Sequence, residues 1–165
     1  MHFPTLMINA KDPVRYMLNL ALATALNDLQ FYLDEEAART APEVKALLKV
    51  LAESEETLIA AIEGMMVGGV TTAMEEVLKM REASTPPKEN PFEFGSAFSP
   101  GLQFERWSLC NGALERCFKA YRFYTSISTR AKSKVVSRLF EYVAYLKAGH
   151  IERLRRVCES FGDAE

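Results

Sequence analysis

Residues 47–59 read LLKVLAESEETLI, and residues 139–151 read LFEYVAYLKAGHI. The two stretches align at an offset of 92 positions without a gap, and matching residues continue on both sides of them. Residues that recur at this offset are Asn19 and Asn111, Ala21 and Ala113, Leu22 and Leu114, Phe31 and Phe123, Tyr32 and Tyr124, Val44 and Val136, Leu47 and Leu139, Ala52 and Ala144, and Ile59 and Ile151. The chain is therefore an internal repeat, which predicts two copies of one structural unit.

Apolar residues within each copy recur three and four positions apart, which is the stripe of an amphipathic helix. Asp12 followed by Pro13 predicts a helix start, because a capping side chain precedes a proline at the first helical position. A second helix restarts at Pro42, and two glycines at 68–69 end it. The predicted helices cover residues 13 to about 39, 42 to about 67, 71–83, about 102–128 and about 131–161.

The length of 165 residues corresponds to one domain, residues 1–165. Within it we predict a first hairpin at about 13–67, a crossover at 68–101 that contains a short extra helix, and a second hairpin at about 102–161. A hairpin, a long crossover and a second hairpin are the arrangement of a ferritin-like four-helix bundle. The predicted fold class is therefore all-α with that topology.

The net charge of −2 gives no reason to expect a polyanion partner, but the charges are unevenly divided. Residues 28–93 hold 14 acidic and 6 basic side chains, a net of −8, and residues 115–156 hold 11 basic and 3 acidic side chains, a net of +8. We interpret this division as attraction between the halves of one bundle. A nucleic-acid surface is disfavoured because the basic residues lack interleaved aromatics or a known binding motif. A membrane is not expected either, since no stretch approaches the roughly 20 apolar residues of a span.

Three cysteines, Cys110, Cys117 and Cys158, form no C-x-x-C motif and cannot all pair with one another. That usage fits a reducing cytosol better than a disulfide scaffold. The first twelve residues hold no apolar run suited to a signal peptide. We therefore expect a cytoplasmic protein without disulfide bonds.

Glu55 and Lys147 are repeat-equivalent charges, and each lies on the apolar stripe of the second helix in its hairpin. A charge at an interior position is costly unless it is paired or bound to a metal. We predict a buried ion pair between the two side chains. The alternative is that each lies at the edge of its stripe and extends its charged end into solvent.

Four runs of sequence carry a further signal: Phe31-Tyr32, Leu51-Ala-Glu-Ser-Glu55, Phe123-Tyr124 and Leu139 to Ile151. Together they resemble the rubrerythrin branch of the ferritin-like proteins, over roughly residues 14–66 and 106–158. The resemblance implies a homodimer and a di-iron enzyme that reduces peroxide or oxidises ferrous iron. In such a site the first helix of each hairpin supplies one Glu and the second supplies Glu-x-x-His.

Two of the six ligands that the resemblance implies are present, Glu55 and His150. The other four ligand positions hold residues that do not match the pattern: Ala25, Leu58, Cys117 and Lys147. Two iron ions need several carboxylates to neutralise and bridge them, and a lysine in place of one carboxylate repels metal. We therefore expect no catalytic residues and no metal cofactor.

A metal-binding alternative stays open at the same positions. Glu55, Cys117 and His150 could form a mononuclear site, because a carboxylate, a thiolate and an imidazole suit iron or zinc. Asp28 could add a fourth ligand. Lys147 in the same cavity opposes this alternative, since its ammonium repels a metal ion.

The leading functional interpretation is a rubrerythrin-like protein that has lost most of its di-iron ligands and has a non-catalytic binding or structural role. The alternative is a metal-binding oxidoreductase or iron-handling protein that uses a reduced site around Glu55 and His150. On the leading interpretation, His150 is a core histidine with a hydrogen-bond partner. Tyr32 and Tyr124 are then core aromatics whose hydroxyls are satisfied.

Overall fold

Helix is the only regular secondary structure in the part of the chain that this computed structural model describes, residues 12–93 and 102–163. Five helices occur in those residues: α1 (Pro13–Ala38), α2 (Pro42–Gly68), α3 (Thr71–Ala83), α4 (Leu102–Arg130) and α5 (Lys134–Asp163). The all-α class is thus confirmed, and α3 has the bounds that the sequence predicts. None of these five helices combines the length and the apolar character that crossing a bilayer requires.

Local capping residues explain where the helices begin and end. Asp12 accepts a hydrogen bond from the Arg15 backbone N–H at 3.1 Å, and this caps α1 ahead of Pro13. Gly69 follows α2 with φ 91°, a backbone conformation that side-chain-bearing residues rarely adopt. The helix predicted from about 131 begins instead at 134, because Ser133 accepts a hydrogen bond from the Val136 N–H at 3.3 Å and acts as the cap.

The helices form two hairpins that pack on each other. α1 packs chiefly on α2 and α4 chiefly on α5, while α2 meets α5 and α1 meets α4 along narrower contacts. α3 lies on α5, where Arg81 donates to both carboxylate oxygens of Glu141 at 2.8 and 2.7 Å. Two clusters of buried apolar side chains fill the interior, and the repeat-equivalent Tyr32 and Tyr124 belong to one each.

The crossover is held against the second hairpin at residues 90–92. The Asn111 side chain accepts from the Phe92 N–H at 2.8 Å and donates to the Phe92 carbonyl at 3.2 Å. Arg155 donates to the Asn90 carbonyl and lies over the Phe92 ring. This end of the crossover therefore packs as part of the second hairpin. Residues 94–101, the remainder of the predicted crossover, lie outside the described residues.

Cys110 and Cys158 form a disulfide that joins α4 to α5, with their Cα atoms 6.1 Å apart, so the prediction of no disulfide is wrong. The two cysteines are 48 residues apart, and only the register of the folded hairpin brings them together. Cys117 is a free, buried cysteine. The cysteine argument for a reducing compartment therefore does not hold, because disulfides are rare in such compartments.

Candidate functional site

A buried ion pair lies between the two hairpins. Lys147 of α5 donates a hydrogen bond to Glu55 Oε1 of α2, and each residue is only 1% exposed. Both side chains project inward because each occupies a core position on the stripe of its helix. Since the two residues are equivalent in the repeat, their contact places the approximate twofold axis of the hairpins between them.

Burial and charge act in opposite directions on this pair. Burial raises the pKa of Glu55, and the Lys147 ammonium opposes that rise through its charge and its hydrogen bond. Burial also lowers the pKa of Lys147, but the neighbouring Cys117 and Glu55 raise it above its ordinary value. A lysine that keeps its proton holds the carboxylate opposite it in the ionised form. Each charge therefore depends on the other, because an isolated charge in this interior is strongly disfavoured.

A small cavity adjoins the pair. Its volume is about 10 Å³, and its lining includes Glu55, His150, Tyr32 and Cys117. Glu55 Oε2 and His150 Nδ1 are both buried without a hydrogen-bond partner. A space of roughly 10–15 Å³ is the least that accommodates one water molecule. The cavity is therefore about large enough for a single water molecule, and Glu55 Oε2 offers it an unsatisfied acceptor.

His150 is partly buried, and its Nδ1 atom is buried without a hydrogen-bond partner, although the sequence interpretation expected His150 to have one. Burial lowers its pKa to about 4, and the positive charges of Lys147 and Arg153 act in the same direction. The imidazole is consequently neutral at physiological pH. A neutral imidazole could act as a metal ligand. The positive charge of Lys147, however, disfavours a metal cation beside it.

The two repeat-equivalent tyrosines differ in their hydroxyl contacts. Tyr32 OH contacts Cys117 Sγ at 3.8 Å, in agreement with the predicted satisfied hydroxyl. Tyr124 OH has no partner, so the same prediction is wrong for this residue. The repeat explains the difference, because the position equivalent to Cys117 in the first hairpin is Ala25, which offers no polar atom. Burial raises the pKa of both tyrosines.

The four residues of the mononuclear alternative are only partly brought together. Glu55, Cys117 and His150 line the small cavity described above, whereas Asp28 forms a 2.8 Å ion pair with Arg116. Within residues 12–93 and 102–163, no group of three or more His, Cys, Asp or Glu side chains has the arrangement of a metal site. Burial also raises the pKa of Cys117, which favours the thiol over the thiolate that binds metal.

The positions that the resemblance assigns to di-iron ligands do not fit two metal ions. Ala25 and Leu58 are buried and apolar, so they offer no donor atom. Cys117, whose raised pKa favours the thiol, and the Lys147 ammonium occupy two further positions. Glu55 and His150 remain, and Glu55 already accepts a hydrogen bond from the lysine.

No family model, curated protein or solved structure matches the chain. The resemblance to rubrerythrins thus depends on the sequence runs described above and on the repeat that contains them. Interpretation of the site depends correspondingly on its own geometry.

A second feature, which the sequence interpretation missed, is an open groove between α1 and α4. Its volume is about 660 Å³. The repeat-equivalent Phe31 and Phe123 line it and are 36% and 37% exposed. Small residues on α4 contribute to its lining: Gly112, Ala113 and Ala120. The recurrence of phenylalanine at positions 31 and 123 is the signal in the sequence that indicates it.

The two halves of the groove are chemically different. Near Phe31, the Arg116 guanidinium lies over the aromatic ring at 3.7 Å and forms the ion pair with Asp28. The repeat places Thr24 and Ala120 at the positions equivalent to Arg116 and Asp28, so Phe123 lacks a matching pair. The Phe31 half of the groove is thus covered by an ion pair that the Phe123 half lacks.

Proposed function

We propose that this protein is a ferritin-like four-helix bundle that has lost its di-iron site and acts by binding, without catalysis. The hydrogen bond from Lys147 to Glu55 carries the proposal. The family resemblance places a metal-bridging carboxylate at each of these two positions. Here an ammonium group stands in for one carboxylate, and it neutralises the other in the way that the metal ions would.

The chemistry of the neighbouring residues supports the same conclusion. A catalytic nucleophile or a redox thiol needs an accessible, ionisable sulfur, whereas Cys117 is buried and its pKa is raised. A general acid or base works best with a pKa near the operating pH. His150 lies well below that range, with its pKa lowered to about 4.

Metal analysis of the purified chain tests the proposal. We expect far less than one iron or zinc per chain after expression with either metal in excess. Lys147→Glu restores the bridging carboxylate beside Glu55 and His150, so this variant should bind metal more tightly. Lys147→Gln is the matched control, because it removes the same charge without adding a ligand. Near-stoichiometric, tightly bound iron or zinc in the wild-type protein would contradict the proposal.

One observation favours a second candidate function, a mononuclear iron or zinc site. Glu55, Cys117 and His150 line the same cavity, and two of their polar atoms lack partners. Titration with Co²⁺ separates the two candidates, because thiolate coordination gives an intense charge-transfer band. The leading proposal predicts no such band for the wild-type chain. A band that disappears in Cys117→Ser would establish the second candidate instead.

A further inference from the structure

The groove between α1 and α4 has the size of a binding site for a small molecule. Its volume of about 660 Å³ lies within the roughly 300–1,000 Å³ that is common for such sites. A helix about 10 Å in diameter that lay from Thr24 to Arg39, over roughly 22 Å, would occupy about 900 Å³ even if it were only half embedded. The space is therefore smaller than a docked helix needs and large enough for a small organic molecule.

Two phenylalanine rings line the groove, one from each helix. The Arg116 guanidinium lies over the Phe31 ring, whereas the equivalent position beside Phe123 holds Thr24, so that ring lacks a matching guanidinium. Ala120, which is buried, places only a methyl group in the groove lining. Aromatic rings pack favourably on one another in offset or edge-to-face arrangements. The Phe123 half of the groove therefore suits an aromatic ring.

The charges that line the groove cancel. They are three acidic residues, Asp28, Glu35 and Glu115, and three basic residues, Arg39, Arg116 and Lys119. Within this set Asp28 pairs with Arg116 at 2.8 Å, and Glu35 pairs with Arg39 at 2.7 Å. The other two, one of each sign, are exposed. A charged ligand would lose hydration in the groove without meeting a net charge of opposite sign, so the lining favours an uncharged ligand.

We propose that the groove between α1 and α4 binds an uncharged small molecule that carries an aromatic ring, with the ring packed against Phe123. The inference rests on the proposed binding role and names the class of ligand. Asn27 and Ser108 are exposed residues of the groove lining, and their amide and hydroxyl groups offer uncharged hydrogen-bonding partners. A few polar groups of this kind orient a ligand in a largely apolar site.

Two dyes that differ by one charge test the class of ligand. N-phenylnaphthylamine is uncharged, and anilinonaphthalene sulfonate has the same rings with a sulfonate added. The fluorescence of both dyes rises when they leave water. We expect saturable binding of the uncharged dye, and binding of the sulfonate that is about tenfold weaker. Equal affinities would overturn the proposed class of ligand, and the absence of saturable binding of the uncharged dye would overturn the site.

Gly112→Leu tests whether the dye lies in the groove. Gly112 is part of the lining, and a Cβ atom added there would meet no heavy atom within 4 Å, so leucine occupies the space without displacing a neighbour. This variant should weaken binding of the uncharged dye about tenfold or more. Gly149→Leu is the matched control, because Gly149 has equally open surroundings and lies outside the groove lining. Circular dichroism of both variants verifies that the helices are intact.

Phe123→Ala tests the aromatic contact. It should weaken binding of the uncharged dye about fivefold, because the dye loses the ring on which it packs. Unchanged affinity in either Gly112→Leu or Phe123→Ala would overturn the inference. The dyes report on the groove, whereas metal analysis reports on the position of Lys147 and Glu55. Failure of the ligand site and failure of the metal-free function are therefore distinguishable.

Discussion

The two hairpins share one plan of helices, yet the polar chemistry of their interiors differs. At the centre the first hairpin supplies the acid Glu55 and the second supplies the base Lys147. Near one end the second hairpin has the Cys110–Cys158 disulfide, where the first has Leu18 and Met66 at the equivalent positions. The comparison teaches that apolar positions preserve the repeat. The polar positions differ between the hairpins, and polar side chains of one hairpin pair with those of the other, as Lys147 does with Glu55.

The largest effect should come from breaking the central pair. Lys147→Met leaves the Glu55 carboxylate buried without its counter-charge, and we expect a loss of about 3–5 kcal/mol in the free energy of unfolding. The double variant Glu55→Leu with Lys147→Met removes both charges and should be close to wild type. Urea unfolding of the three proteins measures the difference. A harmless single change would show that the Glu55 carboxylate does not depend on the lysine.

The disulfide is the next difference between the hairpins. Replacing both Cys110 and Cys158 with alanine should lower the free energy of unfolding by about 4 kcal/mol, the loop-entropy value for a closed loop of this length. Cys117→Ala is the control, because that cysteine lies outside the bond. Thiol titration of the denatured, unreduced wild type should find one reactive thiol per chain. Three reactive thiols would show that the bond does not form.

His150 should make the free energy of unfolding depend on pH. Its pKa is lowered to about 4 in the folded state, so the unfolded state binds the proton first as the pH falls. Stability from this group is fully present above about pH 6.5 and decreases toward pH 4, by up to about 3 kcal/mol. His150→Gln should flatten the curve of unfolding free energy against pH in that window. Parallel curves for the two proteins would contradict the prediction.

The smallest effect concerns the two tyrosines, which serve as controls for each other. Tyr124→Phe removes a buried hydroxyl without a partner and should raise the free energy of unfolding by about 1 kcal/mol. Tyr32→Phe removes the contact with Cys117 and should lower it by about 0.5 kcal/mol. Thermal unfolding of both variants measures the signs. Equal shifts would indicate that the two hydroxyls have equivalent surroundings.

The helices could be predicted from the sequence because their signals are local. Pro13, Pro42 and Gly69 mark boundaries within one turn of where they act, and the bounds of α3 were predictable for the same reason. The predicted start of α5 is too early, because Ala131 continues the apolar pattern although Ser133 supplies the cap. A capping hydrogen bond outweighs one apolar position in deciding where a helix begins.

The site could be predicted only where the repeat gives information about distant contacts. The offset of 92 residues connects Glu55 with Lys147, and the structure places these two side chains in contact. The offset gives no such information for Cys110 and Cys158, because both lie in the second hairpin and meet through the register of its two helices. The groove was missed for a different reason. The spacing of α1 and α4 depends on how the hairpins pack, which the periodicity of either helix does not encode.

The position of Lys147 late in the chain has a consequence for biosynthesis. A ribosome completes residues 13–68 well before it adds the lysine that neutralises Glu55, since synthesis proceeds from the N-terminus. Until then the nascent first hairpin presents a carboxylate in the middle of its apolar face. That charge opposes premature burial of the face against another surface, including a neighbouring nascent chain. The counter-charge that Glu55 has in the folded chain therefore becomes available only with the last helix.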